Sequence, residues 1–197
     1  LFDGMTTIGL QASSANGDTQ FDNVQNLVAA EMKSGTGDLE INYTAATTAG
    51  ATTQNVTLAN QTGGAFVVPG VETVNVTSSV AANTTTITAA AMTALNISGS
   101  ANYTAGTVDF ADNATATAID GVVDASQATG NISITASNDI HDLRGGSGND
   151  TFIYGANLTA ADVNDGNDGT DTVSMTATAA VTGSIYSLVD VETFQLT

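Results

Sequence analysis

Short runs along the chain alternate apolar and polar residues. Leu39, Ile41 and Tyr43 share one parity, while Glu40, Asn42 and Thr44 share the other. The same two-residue period runs through Val56 and Leu58, Val74 and Val76, Leu95 and Ile97, Ile132 and Ile134, Val173 and Met175, and Phe194 and Leu196. Successive strand side chains point to opposite faces, so each run predicts a strand of about four to six residues with one face buried. The wealth of Val, Ile and Thr agrees, because β-branched side chains suit a pleated surface. Clusters of Gly, Asn, Asp and Ser separate the runs and read as tight turns.

One stretch follows another period. Val24, Leu27, Val28 and Met32 fall at helical spacing, Asp22 or Asn23 is placed to cap the start, and Lys33 then Gly35 to mark the stop. This predicts one short helix near residues 22–33. Residues 158–162 predict a single turn.

Many short strands with turns throughout predict an all-β fold: a parallel β-helix or β-roll-like solenoid, with a β-sandwich as the competing arrangement. At roughly 20 residues per rung the chain would make about ten rungs, and at about 4.8 Å per rung a rod of about 45–50 Å. A Thr/Ala/Asn-rich segment, 1–135, would lead into a turn-rich segment, 136–197, that continues the same array. Val71-Glu-Thr-Val-Asn-Val-Thr77 and Val191-Glu-Thr-Phe-Gln-Leu-Thr197 look like related elements. Their parity puts Glu72 and Glu192 on the inward face, where each would either stay wet at a strand mouth or meet a cation or backbone N–H.

Composition narrows the function. The 197 residues hold 2 cations, Lys33 and Arg144, against 20 carboxylates, a formal net charge of −18. Nothing here could neutralise a run of phosphates, which excludes a conventional nucleic-acid binder and docking on an anionic membrane. There is no Cys, so disulfides and thiolate zinc are excluded, and a single His excludes most histidine-built metal and catalytic centres. No apolar run is long enough to span a bilayer. Both ends look cut from something longer, and neither reads as a signal peptide.

The strongest motif is Gly145-Gly-Ser-Gly-Asn-Asp150-Thr-Phe152-Ile, a full match to the nonapeptide G-G-x-G-x-D-x-U-x. Glycines let backbone carbonyls turn inward, Asp150 offers a hard oxygen, and Phe152 plugs the interior. A calcium ion takes roughly six to eight oxygens, so a second loop must stack on the first. Gly166-Asn-Asp168-Gly-Thr-Asp171-Thr-Val173 supplies one, with Asn167 in place of the second glycine. Residues 136–144 read as a worn repeat with His141 where an Asp would stand.

Residues 145–173 resemble the repeats-in-toxin (RTX) calcium-binding family, and the wider frame through Asp162 and Val191-Glu-Thr is similar to RTX-type surface-layer proteins of Gram-negative bacteria. The resemblance implies Ca2+ held by Gly145, Ser147, Gly148, Asn149, Asp150, Asp162, Asp165, Gly166, Asp168 and Asp171. It implies type I export, folding driven by external calcium, and assembly with copies of itself into a two-dimensional lattice on the cell surface. Cell-surface polysaccharide would be reached through regions outside this chain. Charge points the same way: 13 of the 20 acids follow residue 100, in clusters that repel one another without a divalent ion.

Competing functions have weaker support. His141 beside Asp142, with Ser137 or Ser147 nearby, lacks a nucleophile-elbow frame, so no enzyme is expected. A threonine array that orders ice or holds a glycan would recur once per rung, and the Thr-x-Thr pairs at 84–86, 86–88, 115–117 and 176–178 do not. The Asn-x-Ser/Thr triplets follow from alternation itself. A stalk or binding segment of a large secreted RTX adhesin is the main alternative.

Overall fold

A computed structural model describes residues 4–14, 18–112, 118–176 and 186–197. The chain winds into a two-sheeted parallel solenoid, each turn giving one strand to each sheet. The odd sheet holds β1 (Thr7–Gln11), β3 (Ala29–Lys33), β5 (Thr53–Ala59), β7 (Thr73–Ser79), β9 (Ala94–Gly99), β11 (Gly121–Ala128), β13 (His141–Arg144), β15 (Val163–Asp165) and β17 (Ser187–Val189). The even sheet holds β2 (Thr19–Val24), β4 (Leu39–Tyr43), β6 (Thr62–Val67), β8 (Asn83–Thr88), β10 (Tyr103–Val108), β12 (Ile132–Ala136), β14 (Thr151–Gly155), β16 (Thr172–Met175) and β18 (Thr193–Leu196). Both sheets pass unbroken through residues 135 and 136.

The predicted alternation is the packing rule. Ile8, Met32, Leu58, Val76 and Ile97 from the odd sheet meet Leu39, Ile41, Phe66, Ile87 and Ile134 from the even sheet in one continuous core. Each such side chain contributes roughly 1.5–3 kcal/mol by leaving water. Phe152 is fully buried, as the nonapeptide pattern requires. Phe194 and Leu196 keep the inward parity yet are 42% and 53% exposed, because no further described rung covers them.

Turns stack as regularly as strands. Gln11, Lys33, Ala59 and Ser79 are in register. The residues that follow them, Ala12, Ser34, Asn60 and Val80, all adopt left-handed backbone, φ 52, 56, 58 and 70°. In the even sheet the register shifts within β2, β6, β10 and β14 coincide with positive φ at Asn23, Gly64, Gly106 and Gly155.

The helix expected near 22–33 does not form, and no described residue is helical. Asn23 at φ 55° and Ser34 at φ 56° break the chain where a helix would begin and end. Val28, Ala30 and Met32 are buried at a two-residue period, while Leu27 is 41% exposed. The spacing of Val24 and Val28 mimics a helix because it spans a turn between two strands. Residues 158–162 form a turn closed by Asp162 Oδ2, which accepts from Thr159 N at 2.7 Å and Thr159 Oγ1 at 2.9 Å.

Among the described residues each sheet has nine strands, against about ten rungs expected. A step takes 20 residues from Thr53 to Thr73 but 26 from Ala30 to Val56 and 29 from Tyr103 to Ile132. The extra residues fall between β4 and β5 and between β10 and β11.

Candidate functional site

Register places Gln61, Asn83, Tyr103, Ile132, Asp150, Asp171 and Glu192 in one column, at or just before the starts of the even strands. A strand-leading amide must find an acceptor on the next rung. Where the next column residue has a side-chain amide or carboxylate oxygen, that oxygen serves: Gln61 N donates to Asn83 Oδ1, Ile132 N to Asp150 Oδ1, Asp150 N to Asp171 Oδ1 and Asp171 N to Glu192 Oε2, all at 2.7–2.8 Å. Where it is Tyr103 or Ile132, the carbonyl one residue earlier accepts instead: Asn83 N donates to Asn102 O and Tyr103 N to Asn131 O. Beside this column runs a second, of opposite sense. Asn131 N donates to Asn102 Oδ1, Asn149 N to Asn131 Oδ1 and Thr170 N to Asn149 Oδ1.

Glu192 is therefore an N–H partner. The two Val-Glu-Thr elements are not equivalent, since Glu72 leads an odd strand and offers its backbone carbonyl to Thr93 N and Ala94 N.

The motif glycines are needed for lack of room. Gly145, Gly146 and Gly148 do not require positive φ. A Cβ on Gly145 would overlap Asp150 Oδ2 and Gly166 O, one on Gly146 would overlap Ala128 O, and one on Gly148 would lie 2.7 Å from Gly130 O. On Gly166 it would fill the space against Asp190 O and Asp171 Oδ2. Asn167 takes φ 60°, the left-handed backbone expected of an asparagine there.

That substitution separates the two aspartates. Asp150 Oδ2 accepts from Gly146 N at 2.6 Å, so both its oxygens are matched. In the next turn the equivalent amide, Asn167 N, turns to Asp165 Oδ1 at 3.1 Å. Asp171 Oδ2 is left buried with no hydrogen-bond partner among the described residues. Burial raises the Asp150 carboxyl to about 6, against the stabilising N–H groups of Gly146 and Ile132, with the Asp171 charge adding to the rise. Burial also raises Asp171, opposed by the Asp150 N–H and reinforced by the negative charges of Glu192 and Asp190.

Compared with known proteins, the chain matches no family model, no curated protein and no solved structure.

The remaining predicted ligands divide. Ser147 N donates to Ala128 O, and exposed Asp168 donates its N–H to Gly146 O, both within the same turn stack. Asp165 lies on the outer face of the odd sheet, in register with Arg144. Asp162 belongs to the odd-strand column, where its Oδ1 accepts from His141 N at 2.8 Å. Burial opposes its charge, but hydrogen bonds from His141 and Thr159 hold its carboxyl below the ordinary range.

His141 pairs with Asp162 and not with its neighbour Asp142, whose carboxylate turns to Arg144 at 2.6 Å. The imidazole is fully buried, with Nδ1 3.7 Å from Asp162 Oδ1 and Nε2 3.3 Å from Val108 O. Ser137 Oγ lies 3.4 Å from Nε2 and donates to Asp139 Oδ2 at 2.6 Å. Ser137 and Asp139 line a groove of about 910 Å³ together with Asp109 and Asp112.

Among the described residues no three His, Cys, Asp or Glu side chains gather to hold a metal by themselves. Calcium also takes backbone carbonyl oxygens. By that measure the cradle over Gly166 fits, since it brings an orphaned carboxylate oxygen and a carbonyl together. The matched carboxylate of Asp150 fits less well.

Proposed function

We propose that the chain is a structural, calcium-dependent building block of an extracellular surface layer, an RTX-type solenoid that folds and assembles into a lattice when calcium is present. The observation that carries this reading is the column Asp150–Asp171–Glu192: three carboxylates on successive rungs, one buried oxygen of Asp171 unmatched, in a chain of net charge −18. Asp171 Oδ2 and the carbonyl of Asp190 would hold the ion, with Glu192 and the Asp190 carboxylate close enough to add charge. Calcium there would neutralise mutual repulsion and join consecutive turns. Asp150 stitches rungs together through N–H groups whether or not an ion is bound. The weak affinity of extracellular calcium modules, about 10⁻⁴–10⁻³ M, matches a protein that fills its calcium sites only outside the cell.

The test is particle size by light scattering as EDTA-treated protein is titrated with calcium, with magnesium as control. Growth into sheets at about millimolar calcium and not with magnesium is the expected result. Compaction to a stable monomer would replace the surface layer with an adhesin segment. No response to either ion would overturn the calcium reading.

A further inference from the structure

Charge is distributed very unevenly over the solenoid. The odd sheet carries Glu31, Lys33, Asp124, Asp142, Arg144 and Asp165 on its strands. The even sheet has Asp22 on β2 and Glu40 on β4, and then none: β6, β8, β10, β12, β14, β16 and β18 hold no charged residue. Down these seven strands one outward position is always a hydroxyl, since Thr62, Thr84, Thr104, Ser133, Thr151, Thr172 and Thr193 are in register. Beside them lie Ala65, Thr86, Thr135 and Ile153, the last 36% exposed. Acids occur only at the rims, with Asp109, Asp112 and Asp139 beyond the strand ends and Asp150, Asp171 and Glu192 ahead of the strand starts.

We infer that this uncharged even-sheet face is the surface through which one copy of the chain packs on another. The inference rests on the self-assembly reading above and names its contact. Two bodies of charge −18 repel wherever their carboxylates meet, and the cost is smallest where neither presents a charge. The face offers methyls and hydroxyls held at fixed spacing, since β-branched Thr is stiff at χ1 and neighbouring strands lie about 4.8 Å apart. Seven strands make it about 30 Å long and on the order of 500 Å² in area. That is below what a lone stable dimer needs and suits a contact multiplied across a lattice. Calcium on the rim carboxylates removes the repulsion flanking it. The face has no aromatic platform for a sugar ring, and a second copy carries the same neutral surface.

The experiment compares wild type, Thr104→Asp/Thr151→Asp and Asn75→Asp in the calcium titration, with circular dichroism reporting the fold of each. Asn75 sits on the outer face of the odd sheet, in a ladder with Asn55 and Asn96, so its variant adds charge to the opposite face. The double variant should keep its β spectrum and calcium response but need at least tenfold more protein to assemble, while Asn75→Asp assembles like wild type. Assembly of the double variant at the wild-type concentration would overturn the inference, as would equal loss from Asn75→Asp. If wild type binds ice or a neutral polysaccharide without self-associating and the double variant does not, the face belongs to that ligand and the inference fails. If wild type does not assemble at any calcium concentration, the self-assembly reading itself fails. Should the double variant unfold, Thr104→Asp alone supports the same comparison.

Discussion

The backbone amide of Asp150 donates to Oδ1 of Asp171 at 2.7 Å, one rung further along the solenoid. The link ties the start of β14 to the start of β16 and recurs on either side, from Ile132 to Asp150 and from Asp171 to Glu192. A turn column thus does for strand beginnings what the ladder does for strand interiors. Its carboxylates are spent on N–H groups first, and among the described residues the buried carboxylate oxygen left without a partner is Oδ2 of Asp171.

Asp150→Ala removes the acceptor for the Ile132 and Gly146 amides in a buried place. Each unmatched N–H costs about 1–3 kcal/mol, so the variant should lose at least about 2 kcal/mol in urea unfolding without calcium. Asp18→Ala, at an exposed position, should change stability by under about 0.5 kcal/mol. Equal midpoints for the two variants would show that the column adds nothing.

The pH dependence of the calcium-free protein follows from the same residues. Asp150 has its pKa raised to about 6 and Asp171 is raised as well, against about 3.9 for an unfolded Asp. Between about pH 4 and pH 6 the folded state keeps protons the unfolded state has shed, so stability falls as pH rises through this window. Asp162 has the opposite sign, its stabilisation present above about pH 4 and lost as pH falls further. Thermal unfolding in EDTA should therefore peak near pH 4 and lose several degrees by pH 7. A midpoint that climbs steadily from pH 5 to pH 7 would contradict the assignment.

Asn167→Gly rebuilds the second glycine of the loop. The amide at 167 can then turn to Asp171 Oδ2, as Gly146 N turns to Asp150 Oδ2. The variant should gain about 1 kcal/mol without calcium, less what is lost with the bond from Asn167 Nδ2 to Gly145 O, and should respond less to added calcium. Isothermal titration of calcium into both proteins checks this, and an unchanged heat and affinity would place the ion elsewhere.

Much of this was readable along the chain. Leu39 and Ile41, Val74 and Val76, and Ile132 and Ile134 announce buried strand faces, because a two-residue period has one structural meaning when Val, Ile and Thr dominate. The glycine frame announced two stacked turns, which lie one rung apart. The segment 22–33 misled because four residues separate Val24 from Val28 in a turn as they do in a helix. The Thr column was hidden for a related reason. Steps of 18 residues from Ser133 to Thr151 and 29 from Tyr103 to Ile132 destroy any fixed period, although the hydroxyls recur once per rung.

Local order alone therefore determined most of the strands and turns, since these depend on neighbours within a few residues, and the composition made the chain acidic and cysteine-free. The tertiary structure alone decided which acids are bonded and which are free. Asp162 went to His141, Asp150 to two amides, and Asp171 kept an open oxygen, although all three look alike in the sequence. The reason is that a carboxylate's environment in a solenoid is set by the rung above and the rung below, 18 to 29 residues away. Register, which sums every turn length along the chain, selects what those rungs present.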